Sequence, residues 1–187
     1  MLGRAPKSSS GTHGRSWTGP FPVVDPSVLE EIIELRKSIW LNEPSLVDGR
    51  QINIEAVMLR NAHDDHGFHW IIKAKESIVA AARLCIHEAA EELPYQAEFH
   101  HLVTDIPTPI ASLNGLVVHP SMRRQGLTVP LTGVRIEAAR TKGARSVIVL
   151  AAPNRVAPLR GLGFMELGHS TPVPGYLVPF AVMNRPL

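Results

Sequence analysis

The stretch LVVHPSMRRQGL, Leu116 to Leu127, joins an apolar, strand-like run to a helix-like segment through two adjacent arginines and a glycine. The first turn of a helix presents backbone N–H groups without intrahelical partners and a partial positive charge, so it holds anions. A glycine just before it lets the backbone approach a ligand closely, and nearby guanidinium groups neutralise phosphate oxygens. Arg123, Arg124, Gln125, Gly126, Leu127 and Thr128 therefore read as a polyphosphate seat, with a solvated basic turn as the alternative on these residues alone.

Other side chains could also do chemistry. The segment HDDHGFH offers His63, Asp64, Asp65, His66 and His69 as metal ligands, but the spacing fits no compact zinc pattern and no metal is expected. Among the nine histidines, His87 and His119 each end a strand-like run and are candidate bases. The single cysteine, Cys85, lies within IVAAARLCI and reads as a small buried hydrophobe. One cysteine excludes an intramolecular disulfide framework and a multi-cysteine zinc site.

The elements that must position these residues follow from length and pattern. The chain has 187 residues, 44% of them hydrophobic, and a formal net charge of +2, as expected for one globular domain. There is no face-wide Lys/Arg block, so no nucleic-acid partner is expected. No run suffices to span a bilayer and no signal-peptide core is visible, which makes the cytoplasm the default compartment. Residues 1–21, rich in breakers, read as a disordered tail, and residues 22–187 as a single domain with FPVV as a short first strand.

DPSVLEEIIELRKSIWLNE reads as a helix capped by Asp25, with Ser27 and Glu30 at capping-box spacing and a buried stripe of Val28, Ile32, Leu35 and Ile39. Pro44 helps end it, and a weaker strand is expected around Ile52 to Leu59, followed by a polar turn. Trp70 to Ala74 and Ile78 to His87 read as a hairpin, and EAAEELPYQAEFHHLV as helical on both sides of Pro94. A strand from Ala111 to Val118 precedes the arginine loop. A helix with Leu127, Leu131, Val134 and Ala138 on one face follows, then a buried strand at Ser146 to Leu150. PNRVAPLRGLGF gives a short helix or turn, and a last strand is expected around Tyr176 to Met183.

LVVHPSMRRQGLTVPL resembles the acyl-CoA-binding motif of GNAT-type N-acyltransferases, Gln/Arg-x-x-Gly-x-Gly/Ala, with Arg123 first, Gly126 as the central glycine and Thr128 in place of the usual small residue. SVIVLAAPNRVAPLRGLGF is similar to the strand and helix that follow in that family, through Asn154, Ala157, Leu162, Gly163 and Phe164. LRKSIWLNE, AHDDHGFHW and the Ala-Arg-Leu of IVAAARL resemble the branch that contains autoinducer synthases and long-chain N-acyl amino acid synthases. The resemblance implies an α/β fold with a twisted mixed sheet, splayed between its fourth and fifth strands, and helices on both faces. It implies an acyl-CoA donor whose pantetheine arm lies along Leu116, Val117 and Val118, with a backbone N–H near Val118 polarising the thioester carbonyl. Asn154 would contact that arm or cap the following helix.

The resemblance also marks what is missing. The tyrosine often found in the helix after the asparagine is absent; Leu159, Arg160 and Gly161 are the nearest residues. The carboxylate often found on the fourth strand is absent too, and Asn114 lies near its place. Asn114, His87 and His119 are thus the catalytic candidates beside the Val118 amide. Three readings stay open: transfer of acetyl from acetyl-CoA to a small primary amine, transfer of a long acyl chain from acyl-carrier protein or fatty acyl-CoA with EAAEELPYQAEFHHLV lining a tunnel, and a silent CoA-binding module. A homodimer is compatible with each.

Overall fold

The computed structural model describes residues 16–40, 60, 62–173 and 179–187. Its strands are β1 (Thr18–Pro22), β2 (Phe68–Ala74), β3 (Ser77–His87), β4 (Ile110–Val118), β5 (Ser146–Ala151), β6 (Met165–His169) and β7 (Ala181–Pro186). The described α-helices are α1 (Ser27–Trp40), α2 (Ala62–His66), α3 (Thr128–Thr141) and α4 (Pro153–Gly161). The strands form one sheet in the order β1-β2-β3-β4-β5-β7-β6. Every neighbouring pair is antiparallel except β4 and β5, which α3 connects as a crossover. This is the mixed α/β sheet that the resemblance implies.

Helices cover both faces because the strands alternate their side chains. On one face, Ile32 and Ile39 of α1 pack on Ile71, Ala81 and Val117. On the other, Ile136 and Ala139 of α3 pack on Leu84, Ala111, Leu113 and Val147. Each fully buried aliphatic side chain here contributes about 1.5–3 kcal/mol relative to an exposed one. Asp25 caps α1 by accepting from the Ser27 N–H at 2.9 Å, rather than Ser27 and Glu30 forming the box. The buried side of α1 is Leu29, Ile32, Ile33, Arg36 and Ile39, with Val28 and Leu35 half-buried at its margin.

Several boundaries differ from expectation. β1 begins at Thr18, so it takes in the last residues of the segment read as tail; residues 1–15 and the expected strand at Ile52 to Leu59 lie outside the described residues. The turn before β2 is a short helix, α2. EAAEELPYQAEFHHLV is not a pair of α-helices but three 3₁₀ turns at Ala90–Glu92, Gln96–Glu98 and His100–Leu102. Pro94 biases the residue before it toward extended backbone, and Leu93 is extended at ψ 138°. Tyr95 then takes a left-handed φ of 59°, which ends any helix. The last strand starts at Ala181, after Pro179, and runs to Pro186.

Candidate active site

β4 and β5 pair only over Ile110, Ser112 and the residue between them, against Ser146 to Ile148. Beyond Ser112 they part. The cause lies in β4: between the pairs Ala81–Val117 and Arg83–Asn114, β3 spends one residue while β4 spends two, Gly115 and Leu116. This bulge bends the strand away from β5. Gly115 sits at φ 60°, and a Cβ there would lie 3.2 Å from Arg83 Cβ and 3.3 Å from Arg36 Nη2. A side chain is therefore excluded on both backbone and steric grounds.

The gap is a cavity of about 480 Å³. Its β4 wall runs from Ser112 to Val118, and its β5 wall from Ile148 to Ala151. The His119 N–H donates to Val79 O at 2.8 Å, which puts Val118 in the phase of the antiparallel ladder that turns its own N–H away from β3 and toward the gap. At one end lies the arginine loop. Arg124 at φ 60° and Gly126 at φ 78° both take left-handed backbone, which curls consecutive N–H groups into a concavity at the start of α3. Leu127 at the N-cap position provides no side-chain cap, and within the first turn of α3 the Val129 N–H donates to Gly126 O at 3.2 Å while Pro130 has no N–H, so any amides offered to a ligand are those of the turn up to Thr128. A Cβ on Gly126 would meet nothing within 4 Å, so the space above this turn is open. Arg123 reaches back to Val118 O with Nε at 3.5 Å, and Gln125 is tied by Ser16 Oγ at 3.1 Å and by Ser121 O at 3.3 Å.

Beneath the bulge is a buried polar chain. The alternation of β3 and β4 sets Arg83, Cys85, His87, Ser112 and Asn114 on the face toward α1 and α2. Asp64 of α2 receives Arg36 Nη1 and Nη2 at 3.1 and 3.0 Å and Arg83 Nη1 at 2.6 Å. Burial pushes the Asp64 carboxyl up, but the hydrogen bonds and charge of Arg36, joined by those of Arg83, outweigh it and hold the group below its ordinary value. Arg83 Nε donates to Asn114 Oδ1, Asn114 Nδ2 donates to Ser112 Oγ at 3.0 Å, and Ser112 Oγ meets His87 Nε2 at 2.8 Å. From the opposite face, Arg135 donates to Arg83 O at 3.1 Å and Asn114 O at 3.4 Å, satisfying carbonyls beside the bulge. Burial, with the charge of Arg155, lowers the Arg135 guanidinium to about 9.

The sequence candidates divide cleanly. Asn114, Leu116, Val117, Val118, Arg123, Thr128 and Asn154 line the cavity, whereas Arg124 does not, Gln125 and Gly126 line a separate depression with Trp17, Val129 and Pro130, and Leu127 is buried in the core. Asn154 does not cap α4, whose N-cap position is Ala152, so only its contact role is left. His87 is buried directly behind Ser112, whereas His119 is exposed and bonded to Ser121 Oγ at 2.7 Å outside the cavity. Leu159, 1% exposed, is part of the cavity wall, and no tyrosine stands in α4. Cys85 is buried, and burial pushes its thiol up. Among the described residues, HDDHGFH gathers no set of three metal ligands; its Asp64 serves the two arginines instead.

The sequence candidates do not include Ser112, the pairing of Asp64 with two arginines, or Arg135. Ser112 and Asn114 share a face by simple alternation, so the serine was findable. The Asp64 pairing was not, because it joins α1, α2 and β3 across the fold.

The model of the acetyltransferase (GNAT) family matches residues 29–164. A comparison with curated proteins gives no match. Among solved structures, the chain is similar to FeeM, an N-acyl amino acid synthase from uncultured soil microbes, at 11% identity over 90% of this chain and 93% of that one, with a TM-score of 0.67. It is similar to the AHL synthase LasI at 13% identity, over 89% and 90% of the two chains, with a TM-score of 0.60. It is also similar to an acyl-CoA N-acyltransferase from Pseudomonas aeruginosa at 15% identity, over 90% and 98%, with a TM-score of 0.59. These likenesses are of fold; with the family match over most of the chain and a sheet that parts where β4 bulges, the chain belongs to the acetyltransferase (GNAT) family of transferases.

Proposed function

We propose that the protein transfers an acyl group from acyl-CoA to the primary amine of a small molecule. The observation that carries this is the cavity itself, which runs from Arg123 and Thr128 at a helix N-terminus to a buried polar chain between two strands that have lost their pairing. The residues fit the donor. The amides of Arg124 to Thr128 would hold the pyrophosphate, Arg123 would neutralise it, and Leu116 to Val118 would pair with the pantetheine arm as an added strand, with Asn154 opposite. The cleft-facing Val118 amide would donate to the thioester oxygen as charge develops on it. Acyl-CoA supplies an activated carbonyl and a thiolate leaving group. With an ordinary thiol near 8.5, that group can depart without a dedicated acid.

The acceptor is constrained by charge. Among the described residues that line the cavity, the charged ones are Arg36, Arg83, Arg123, Arg135 and Arg155, with no carboxylate. Such a wall repels polyamines and favours an amine that itself bears a carboxylate. A second reading of the donor has its own observation. Leu93, Ile148, Leu150, Val173 and Phe180 extend the cavity as an apolar wall, which suits an acyl chain longer than acetyl, from CoA or a carrier protein. The similar fold of an N-acyl amino acid synthase agrees with both points.

Thiol release from acetyl-, octanoyl- and lauroyl-CoA, each with amino acids and their amides, tests this. Release that requires a free carboxylate on the amine supports the acceptor class, and the chain-length optimum decides the donor. No release from any pair, with CoA still bound, refutes acyl transfer.

A further inference from the structure

We propose that His87, acting through the Ser112 hydroxyl, accepts the proton of the acceptor amine; the inference rests on the acyl-transfer reading above. The hydrogen-bond directions along the chain leave little freedom. A guanidinium only donates, so Arg83 Nε turns the oxygen of Asn114 toward itself and the Nδ2 group toward Ser112. Ser112 Oγ accepts that bond, and its own hydrogen has two neighbours, His87 Nε2 at 2.8 Å and the buried Cys85 thiol, of which the neutral imidazole is the stronger acceptor. A hydroxyl with a base within hydrogen-bond reach, held by a third group, is an arrangement that moves protons.

Position agrees with direction. Ser112 is the last β4 residue paired to β5 before the strands part, so its hydroxyl stands at the inner corner of the cavity. His87 lies behind it at 5% exposure, reached from the cavity through the serine. The groups around the imidazole keep it ready to accept. Burial lowers its pKa first, the His63 ring packed edge-on at 6.1 Å lowers it further, Glu92 opposes, and Arg83 adds a smaller lowering. The ring is therefore neutral at pH 7. This pair supplies the acceptor function for which β4 carries no carboxylate.

The protons balance. The ammonium gives one proton to Ser112 Oγ, directly or through one water, as Ser112 gives its own to His87 Nε2. The free amine attacks the thioester carbon, the C–N bond forms, and the C–S bond breaks with its electron pair on sulfur. The second amine proton ends on the thiolate, and the imidazolium returns its proton to solvent.

The test uses the full chain with CoA and the best amine from the panel. Ser112→Ala and His87→Gln should each lower kcat by on the order of 10²-fold while CoA affinity stays within twofold. Both should also remove the acidic limb of the kcat/KM–pH profile. Independently of turnover, imidazole ¹⁵N shifts should show His87 Nε2 as a hydrogen-bond acceptor that loses its partner in Ser112→Ala. An active wild type whose variants keep their rate and acidic limb, or an Nε2–H tautomer at His87, overturns the relay and leaves acyl transfer standing. A wild type that binds CoA yet releases thiol with no amine overturns acyl transfer and the relay's role with it.

Discussion

Asp64→Asn is the substitution whose consequence is most directly worked from the structure. It keeps the shape of the side chain and removes one charge, where two guanidiniums are held by a single carboxylate. The side chains of Asp64, Arg36 and Arg83 are 0%, 4% and 7% exposed, so water cannot replace the lost partner. Breaking a buried pair from one side costs about 3–5 kcal/mol, because it strands the opposite charge. For a domain of this size, 1 kcal/mol moves Tm by roughly 2–4 °C, so the expected drop is about 6–20 °C by thermal or urea unfolding. Adding Arg36→Met to Asp64→Asn removes one stranded cation, so the double variant should be more stable than the sum of the singles, a coupling on the order of 1–3 kcal/mol. The same carboxylate predicts an acid response. Its folded pKa lies below the unfolded 3.8, so its stabilisation is complete above that value and is lost as pH falls through the folded pKa; Asp64→Asn should flatten this limb. A loss below about 1 kcal/mol with no coupling to Arg36 would refute the claim that the cluster is held as a buried ion pair.

Gly126→Asp should cut CoA affinity at least about a hundredfold by calorimetry, since the open space over the turn would receive a carboxylate beside phosphate. Gly126→Ala, strained at φ 78° but uncharged, should bind far better than the aspartate variant. Gly115→Ala should destabilise by about 1–3 kcal/mol in urea unfolding, through left-handed strain and the contacts at 3.2 and 3.3 Å to Arg83 and Arg36. Leu150→Trp should shift the preferred acyl chain toward shorter donors, read as the ratio of kcat/KM for lauroyl- and acetyl-CoA, if the apolar wall holds the chain. His63, His69 and His87 are all lowered from 6.5, chiefly by burial. Below that value the unfolded chain binds protons that the fold refuses, so the urea midpoint should fall from pH 7 to pH 5, above the carboxylate window.

The central part of the fold was legible because its elements are locally self-consistent. The run at Ser146 to Leu150 is β-branched and continuous, as a strand covered on both faces requires, and it forms β5 with one further residue. β4 and α3 were placed within a residue or so, because a glycine and two arginines punctuate the change of period. The segment around Pro94 was misread because alanine and glutamate favour helix locally, while the proline and a left-handed Tyr95 decide against it. Arg36 and Arg135 carry no signal in the sequence that they are buried. Each is buried because a partner outside its own helix, Asp64 or the carbonyls beside the bulge, offsets the desolvation.

The donor end of the site and its chemical end differ in how the sequence encodes them. The proposed phosphate seat is a run of consecutive residues, Arg123 to Thr128, because backbone amides of one turn would do the binding, so it can be read as a word. The proposed proton acceptor is built across strands. Ser112 and His87 are 25 residues apart, and Asn114 and Arg83 are 31 apart. What brings them together is the antiparallel register that sets Cys85 opposite Ser112 and Arg83 opposite Asn114. A one-residue slip would send all of them to the other face. The bulge at Gly115 and Leu116 shifts the phase of β4 by one residue beyond Asn114, so that Val117 rather than Leu116 faces α1 while the Val118 amide faces the gap. One extra residue in β4 thus opens the cleft proposed for the donor and leaves the polar chain directly beneath it. β4 carries no carboxylate, only Asn114, and the group proposed to take its place lies on the neighbouring strand, out of reach of any reading of β4 alone.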